Sequence, residues 1–179
     1  DAGGTIDIQS GTLSIEGGAT IASTVTGSPG TTLSLSGLDT VTLTATSSVS
    51  ASSVVFQSGT FTVAGSYAVT TGTTVESGSL SFLPTATVAS IGSAFAINSG
   101  SVSFDSGETI APATLSMPNG TISGGDTIEI SGLTTWGAGT MSGGGPTRAN
   151  GGVTLAGDGG GRFRGRLKPP ARAATRARR

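Results

Sequence analysis

Gly59-Thr60-Phe61-Thr62-Val63 returns as Gly78-Ser79-Leu80-Ser81-Phe82 and again as Gly100-Ser101-Val102-Ser103-Phe104. A glycine followed by alternating hydroxyl and apolar residues describes a turn feeding a strand with one apolar face. Related phrases open at Gly11 and Gly30, and weaker ones at Gly120 and Gly139. These seven glycines lie 19, 29, 19, 22, 20 and 19 residues apart. The long interval predicts an inserted loop around Thr46–Ser53.

Two further apolar patches accompany the phrase. One falls at Ile21, Val41, Val69, Val88, Ile110 and Ile128, and another at Phe56, Val75, Ile97, Leu115 and Trp136. A unit of about twenty residues cannot bury such faces alone and must stack on its neighbours. The expected fold is all-β: a right-handed parallel β-helix (β-solenoid) of about 7–8 coils, each 19–22 residues long, with aliphatic and Phe side chains inside and Ser and Thr outside. The alternative is an antiparallel β-sandwich, which has strands of similar length but no longer repeat. Terminal coils of a solenoid leave strand edges unpaired, so end-to-end association is expected.

Charge divides the sequence. Residues 1–147 hold nine carboxylates and no Lys, Arg or His, a formal charge of −9. All nine bases lie from Arg148 onward, eight of them between Arg162 and Arg179. Two regions are therefore expected: a repeat domain over 1–157, part of a longer array, and a basic low-complexity tail over 158–179. The abrupt shift near Gly157–Gly161 to Arg, Ala, Gly and Pro, residues with GC-rich codons, predicts a disordered or out-of-frame tail. With only Phe163 among its bases, the tail is not read as a specific nucleic-acid site. The sequence has no cysteine, hence no disulfide or thiolate metal site, and no run of membrane-spanning length.

The phrases SGTLSIEGGATI (10–21), QSGTFTV (57–63) and NSGSVSF (98–104) resemble those of exported bacterial β-solenoid surface proteins: autotransporter passengers, filamentous-haemagglutinin-like adhesins and related extracellular strand-repeat proteins. The stretch from Trp136 to Gly143 is similar to their W-x-x-G-x-M-S-G phrase. The resemblance implies export to the bacterial cell surface and a structural or adhesive role. It implies as partners the neighbouring repeats of the parent protein and a host or matrix glycan or protein.

No residue is named as catalytic, cofactor-binding or metal-binding, and no enzymatic activity is expected. The nearest acid pairs, Asp105 with Glu108 and Asp126 with Glu129, are read as solvated turn acids facing opposite sides, not as a glycosidase pair. Gly124-Gly125-Asp126-Thr127-Ile128-Glu129 only partly matches a calcium β-roll repeat. Thr40, Thr42, Thr44 and Thr46 are read as the solvent side of one strand, because neighbouring coils offer mixed Ser, Ala and Thr instead of a matched ice- or sugar-binding array. Trp136 is assigned to the core. Asn119-Gly120-Thr121 fits a glycosylation acceptor but reads as a turn. A carbohydrate-active β-helix enzyme or a glycan-binding module is the alternative function.

Overall fold

The computed structural model describes residues 3–156 and 162–164. Among them are twenty strands and no helix. Every strand pairing is parallel, which excludes the sandwich. The backbone winds through eight coils with three faces each, a stack about 35 Å long at the usual inter-strand spacing.

The first coil contains β1 (Thr5–Ile8), β2 (Thr12–Glu16) and β3 (Ala19–Ile21), and the second β4 (Thr24–Gly27), β5 (Thr32–Ser36) and β6 (Thr40–Leu43). In the third, β7 (Ser48–Phe56) runs round a corner and covers two faces before β8 (Thr60–Val63); β9 (Ser66–Val75) and β10 (Ser79–Phe82) repeat this in the fourth. The fifth coil has β11 (Thr87–Ile91), β12 (Ala94–Ile97) and β13 (Ser101–Phe104), and the sixth β14 (Thr109–Ile110) and β15 (Thr114–Gly124). Then follow β16 (Thr127–Ile130) and β17 (Thr134–Ser142), and finally β18 (Thr147–Ala149), β19 (Val153–Leu155) and β20 (Arg162–Arg164).

Face A begins with β1, β4 and the first half of β7; face B with β2, β5 and the second half of β7; face C with β3, β6 and β8. Faces B and C continue through all eight coils. Face A is interrupted once: β11 carries a bulge between Val88 and Ser90, and β14 pairs with β16 but not with β11.

The predicted loop around Thr46–Ser53 is absent. Most of that segment belongs to β7, which pairs with both neighbouring coils, with one register shift between Ala51 and Ser53 at the corner. The 29-residue interval arises because the phrase changes face. After Gly11 and Gly30 it forms β2 and β5 on face B, whereas from Gly59 onward it forms β8, β10 and β13 on face C. The phrase specifies a turn and a strand locally, and says nothing about which side of the coil that strand occupies.

Every residue of the two predicted apolar patches is buried, Trp136 included at 7% exposure. Each aliphatic or aromatic side chain removed from water in this way contributes roughly 1.5–3 kcal/mol. Aromatic rings line part of the axis. Phe82 stacks on Phe104 with centroids 5.0 Å apart, and Tyr67 meets Phe82 edge to face at 5.3 Å. The Tyr67 hydroxyl is satisfied inside the core by Thr73 Oγ1 at 2.9 Å. Ile6, Leu13, Ile15 and Ala19 of the first coil are partly buried and pack against the core.

Stacking also explains the glycines between faces B and C. A Cβ on Gly78 would lie 2.2 Å from the carbonyl oxygen of Gly59, and one on Gly120 2.5 Å from that of Gly100. Backbones of successive coils approach so closely here that no side chain fits.

The ladder also passes the boundary expected at residue 157, since β20 pairs with β17 through Met141↔Phe163. The remainder of the predicted tail, 157–161 and 165–179, lies outside the described residues.

Candidate functional site

Two arrangements of polar groups stand out on the solenoid. The first is a set of carboxylates that join consecutive coils. A turn made of Gly and Ser leaves backbone N–H groups without a partner, and an anion is a strong acceptor for them. At the corner between faces C and A, Asp126 accepts from Ser106 N–H at 2.8 Å, Ser106 hydroxyl at 2.6 Å and Gly107 N–H at 2.7 Å, all in the preceding coil. Asp105 reaches the other way and accepts from Gly125 N–H at 2.9 Å. The two turns thus clasp each other reciprocally.

Glu108 takes the Val88 N–H at 2.6 Å, beside the interruption of face A. Glu108 therefore joins the fifth and sixth coils where the backbone ladder does not. Elsewhere Glu76 accepts from Asn98 Nδ2 at 2.7 Å, Asp7 accepts from the Thr26 hydroxyl at 3.1 Å, and Glu129 pairs with Arg148 at 2.5 Å. That last pair is about one-third exposed on each side (35% and 40%), which limits it to a surface contribution of about 0–1 kcal/mol.

These contacts correct part of the sequence reading. Asp126 is not a solvated turn acid: it is 7% exposed and both oxygens face donors. The members of each pair bond to different coils. Glu108 and Asp126 bond to the coil before, whereas Asp105 and Glu129 bond to the coil after. Among the described residues no three acidic groups converge to hold a metal ion.

The second arrangement is on face C, where register creates a pattern that single coils do not reveal. Thr40-x-Thr42 lies over Thr60-x-Thr62, which lies over Ser79-x-Ser81 and Ser101-x-Ser103. Thr121-x-Ser123 and Thr140-x-Ser142 extend the stack. Two columns of hydroxyl residues therefore run along the axis, spaced about 4.8 Å between coils and about 6.6 Å between columns. The coils that follow Thr40 and Thr42 offer the expected mixture of Ser and Thr at these two positions, but no Ala. Thr44 and Thr46 do not belong to the array: they sit in the following turn, with their hydroxyls 3.0 Å apart. The columns become legible in the sequence once the phrase from Gly59 onward is aligned with Thr40, not with Gly30.

Beside the columns an open groove of about 520 Å3 follows the glycine corner. Its lining includes Gly78, Ser101, Asn119, Thr121 and Thr140, with no ionisable group among the described residues. Asn119 and Gly120 are part of β15, so the expected turn is a bend within a continuous strand. The sequence matches no family model, no curated protein and no solved structure. No helix among the described residues is long and apolar enough to cross a membrane.

Proposed function

We propose that this protein is a structural, adhesive-type segment of an exported bacterial surface rod, spacing or displaying a binding region without catalysis. The observation that supports this reading is the continuous axial stacking of faces B and C over eight coils. Such a stack has nearest-neighbour contacts throughout, so load and position pass along it without a hinge. Its acids accept hydrogen bonds from neighbouring coils, as inter-coil fasteners would. The test is labelling of intact cells with an antibody against the fully exposed Leu38 turn. Signal before lysis is expected; labelling only after lysis would overturn the assignment to the surface.

A second reading, a glycan-binding module, is favoured by the two hydroxyl columns of face C. It predicts that the protein co-sediments with an insoluble polysaccharide, and that Thr62→Lys with Ser81→Lys abolishes this without unfolding. Sedimentation unaffected by the double substitution removes face C from consideration.

A further inference from the structure

We propose that Asn119–Gly120 is a self-modifying site that converts the neutral groove into an acidic one. Asparagine is among the thermolabile residues. Its loss of ammonia requires the following backbone nitrogen to reach the carboxamide carbon, Cγ, and close a five-membered ring. A side chain on the following residue hinders that approach, and glycine has none. In β15 the Gly120 N–H donates to Asn119 Oδ1 at 2.8 Å, so the nucleophilic nitrogen already lies against the carboxamide it must attack. Asn119 is exposed, which admits the water needed for the second step.

The chemistry closes without any further reagent. The Gly120 nitrogen bonds to Asn119 Cγ, the Cγ–Nδ2 bond breaks, and ammonia leaves with the proton lost by Gly120. Water then opens the resulting imide. Cleavage of the new bond gives aspartate, and cleavage of the original backbone bond gives isoaspartate. Either product places a carboxylate in a groove whose lining has no ionisable group among the described residues.

Isoaspartate also lengthens the backbone by one atom. The local register is Asn119↔Ala138 and Gly120↔Gly139, and an added main-chain atom would shift it for every following pair of β15. Hydrolysis within the folded protein is therefore expected to favour aspartate.

An internal comparison is built in. Asn150–Gly151 has the same dipeptide and an exposed Asn. There the Asn150 N–H is tied to Ile130 O at 2.8 Å, and Gly151 is wedged against Gly132. No hydrogen bond among the described residues joins the Asn150 carboxamide to the Gly151 N–H.

The experiment is to incubate the full-length folded protein at neutral pH, digest it and measure amide-to-acid mass gain by peptide. Cleavage after Glu108 and Glu129 isolates Asn119 as the sole amide residue, and cleavage after Arg148 and Arg162 isolates Asn150. Asn119 is expected to convert several-fold faster than Asn150 in the folded protein, with the difference lost in urea. Methylation by an isoaspartyl methyltransferase should be weaker for the folded sample than for the unfolded one. Asn119→Gln should abolish the mass gain in its peptide. Conversion of Asn150 first or at an equal rate in the folded protein, or a mass gain that survives Asn119→Gln, would overturn the proposal.

Discussion

Asp126 holds Ser106 twice, taking its backbone N–H at 2.8 Å and its hydroxyl at 2.6 Å across one coil boundary. The adjacent Gly107 N–H completes the set at 2.7 Å. Asp126 is therefore the chief polar link between the turns that precede β14 and β16, two strands that pair on face A.

Removing it should be costly for its size. Asp126→Ala leaves two turn N–H groups without an acceptor, and each such orphan costs about 1–3 kcal/mol when buried. Because the turn is partly open to water, a total near the lower end, about 2 kcal/mol, is expected. Urea unfolding followed by the fluorescence of Trp136, the single tryptophan, measures it directly. A negligible loss would mean that water replaces the carboxylate.

The glycine corner separates two effects that usually travel together. Gly78 has φ +86° and no space, whereas Gly11 has φ +71° and nothing within 4 Å of an added Cβ. Gly11→Ala should cost about 1–2 kcal/mol from the left-handed backbone alone. Gly78→Ala adds a collision with Gly59 O and should exceed that by about 1–3 kcal/mol, as overpacking does. Equal costs in denaturant unfolding would show that the coils shift to make room.

Thr134 stacks between Leu115 and Val153 in register, buried at 2% exposure, and its hydroxyl has no partner among the described residues. Thr134→Val keeps the shape and removes the unsatisfied group, so it should stabilise the protein by about 1 kcal/mol. A melting temperature below that of the parent would show that the hydroxyl is bonded in solution.

Tyr67 provides the pH dependence. Burial pushes its hydroxyl far above the ordinary value of 10.0, and the hydrogen bond with Thr73 offsets this only in part. The folded state thus binds the proton more tightly than the unfolded one. This contribution leaves stability unaffected below pH 10.0 and favours the unfolded state as pH rises beyond it, because only the unfolded form then ionises. Tyr67→Phe should flatten the alkaline limb of a stability–pH profile while costing about 1 kcal/mol at neutral pH through the lost bond to Thr73. An unchanged alkaline limb would assign that loss of stability elsewhere.

Much of the architecture was readable because solenoid stacking converts local periodicity into burial. Spacing alone places Val69, Ile97 and Leu115 inside, and all are at most 1% exposed. Phase was not readable. Gly30-Thr31-Thr32 and Gly59-Thr60 look alike, yet one opens face B and the other face C. What depends on that change of phase was hidden with it, including the match of Thr42 to Thr62. Asp126 and Ser106 lie one 20-residue repeat apart, so their stacking was readable, whereas the grip of the carboxylate on that turn was not.

The crowding of backbone at the Gly59–Gly78 corner has a consequence for how such a gene can change length. Inserting one codon would slide the following strand by half a pleat, exposing its apolar row and driving side chains into a corner that admits none. Duplicating one whole circuit disturbs neither. Complete windings are therefore the change of length that leaves the stack intact, and single-residue differences are confined to turns and to bulges such as that between Val88 and Ser90.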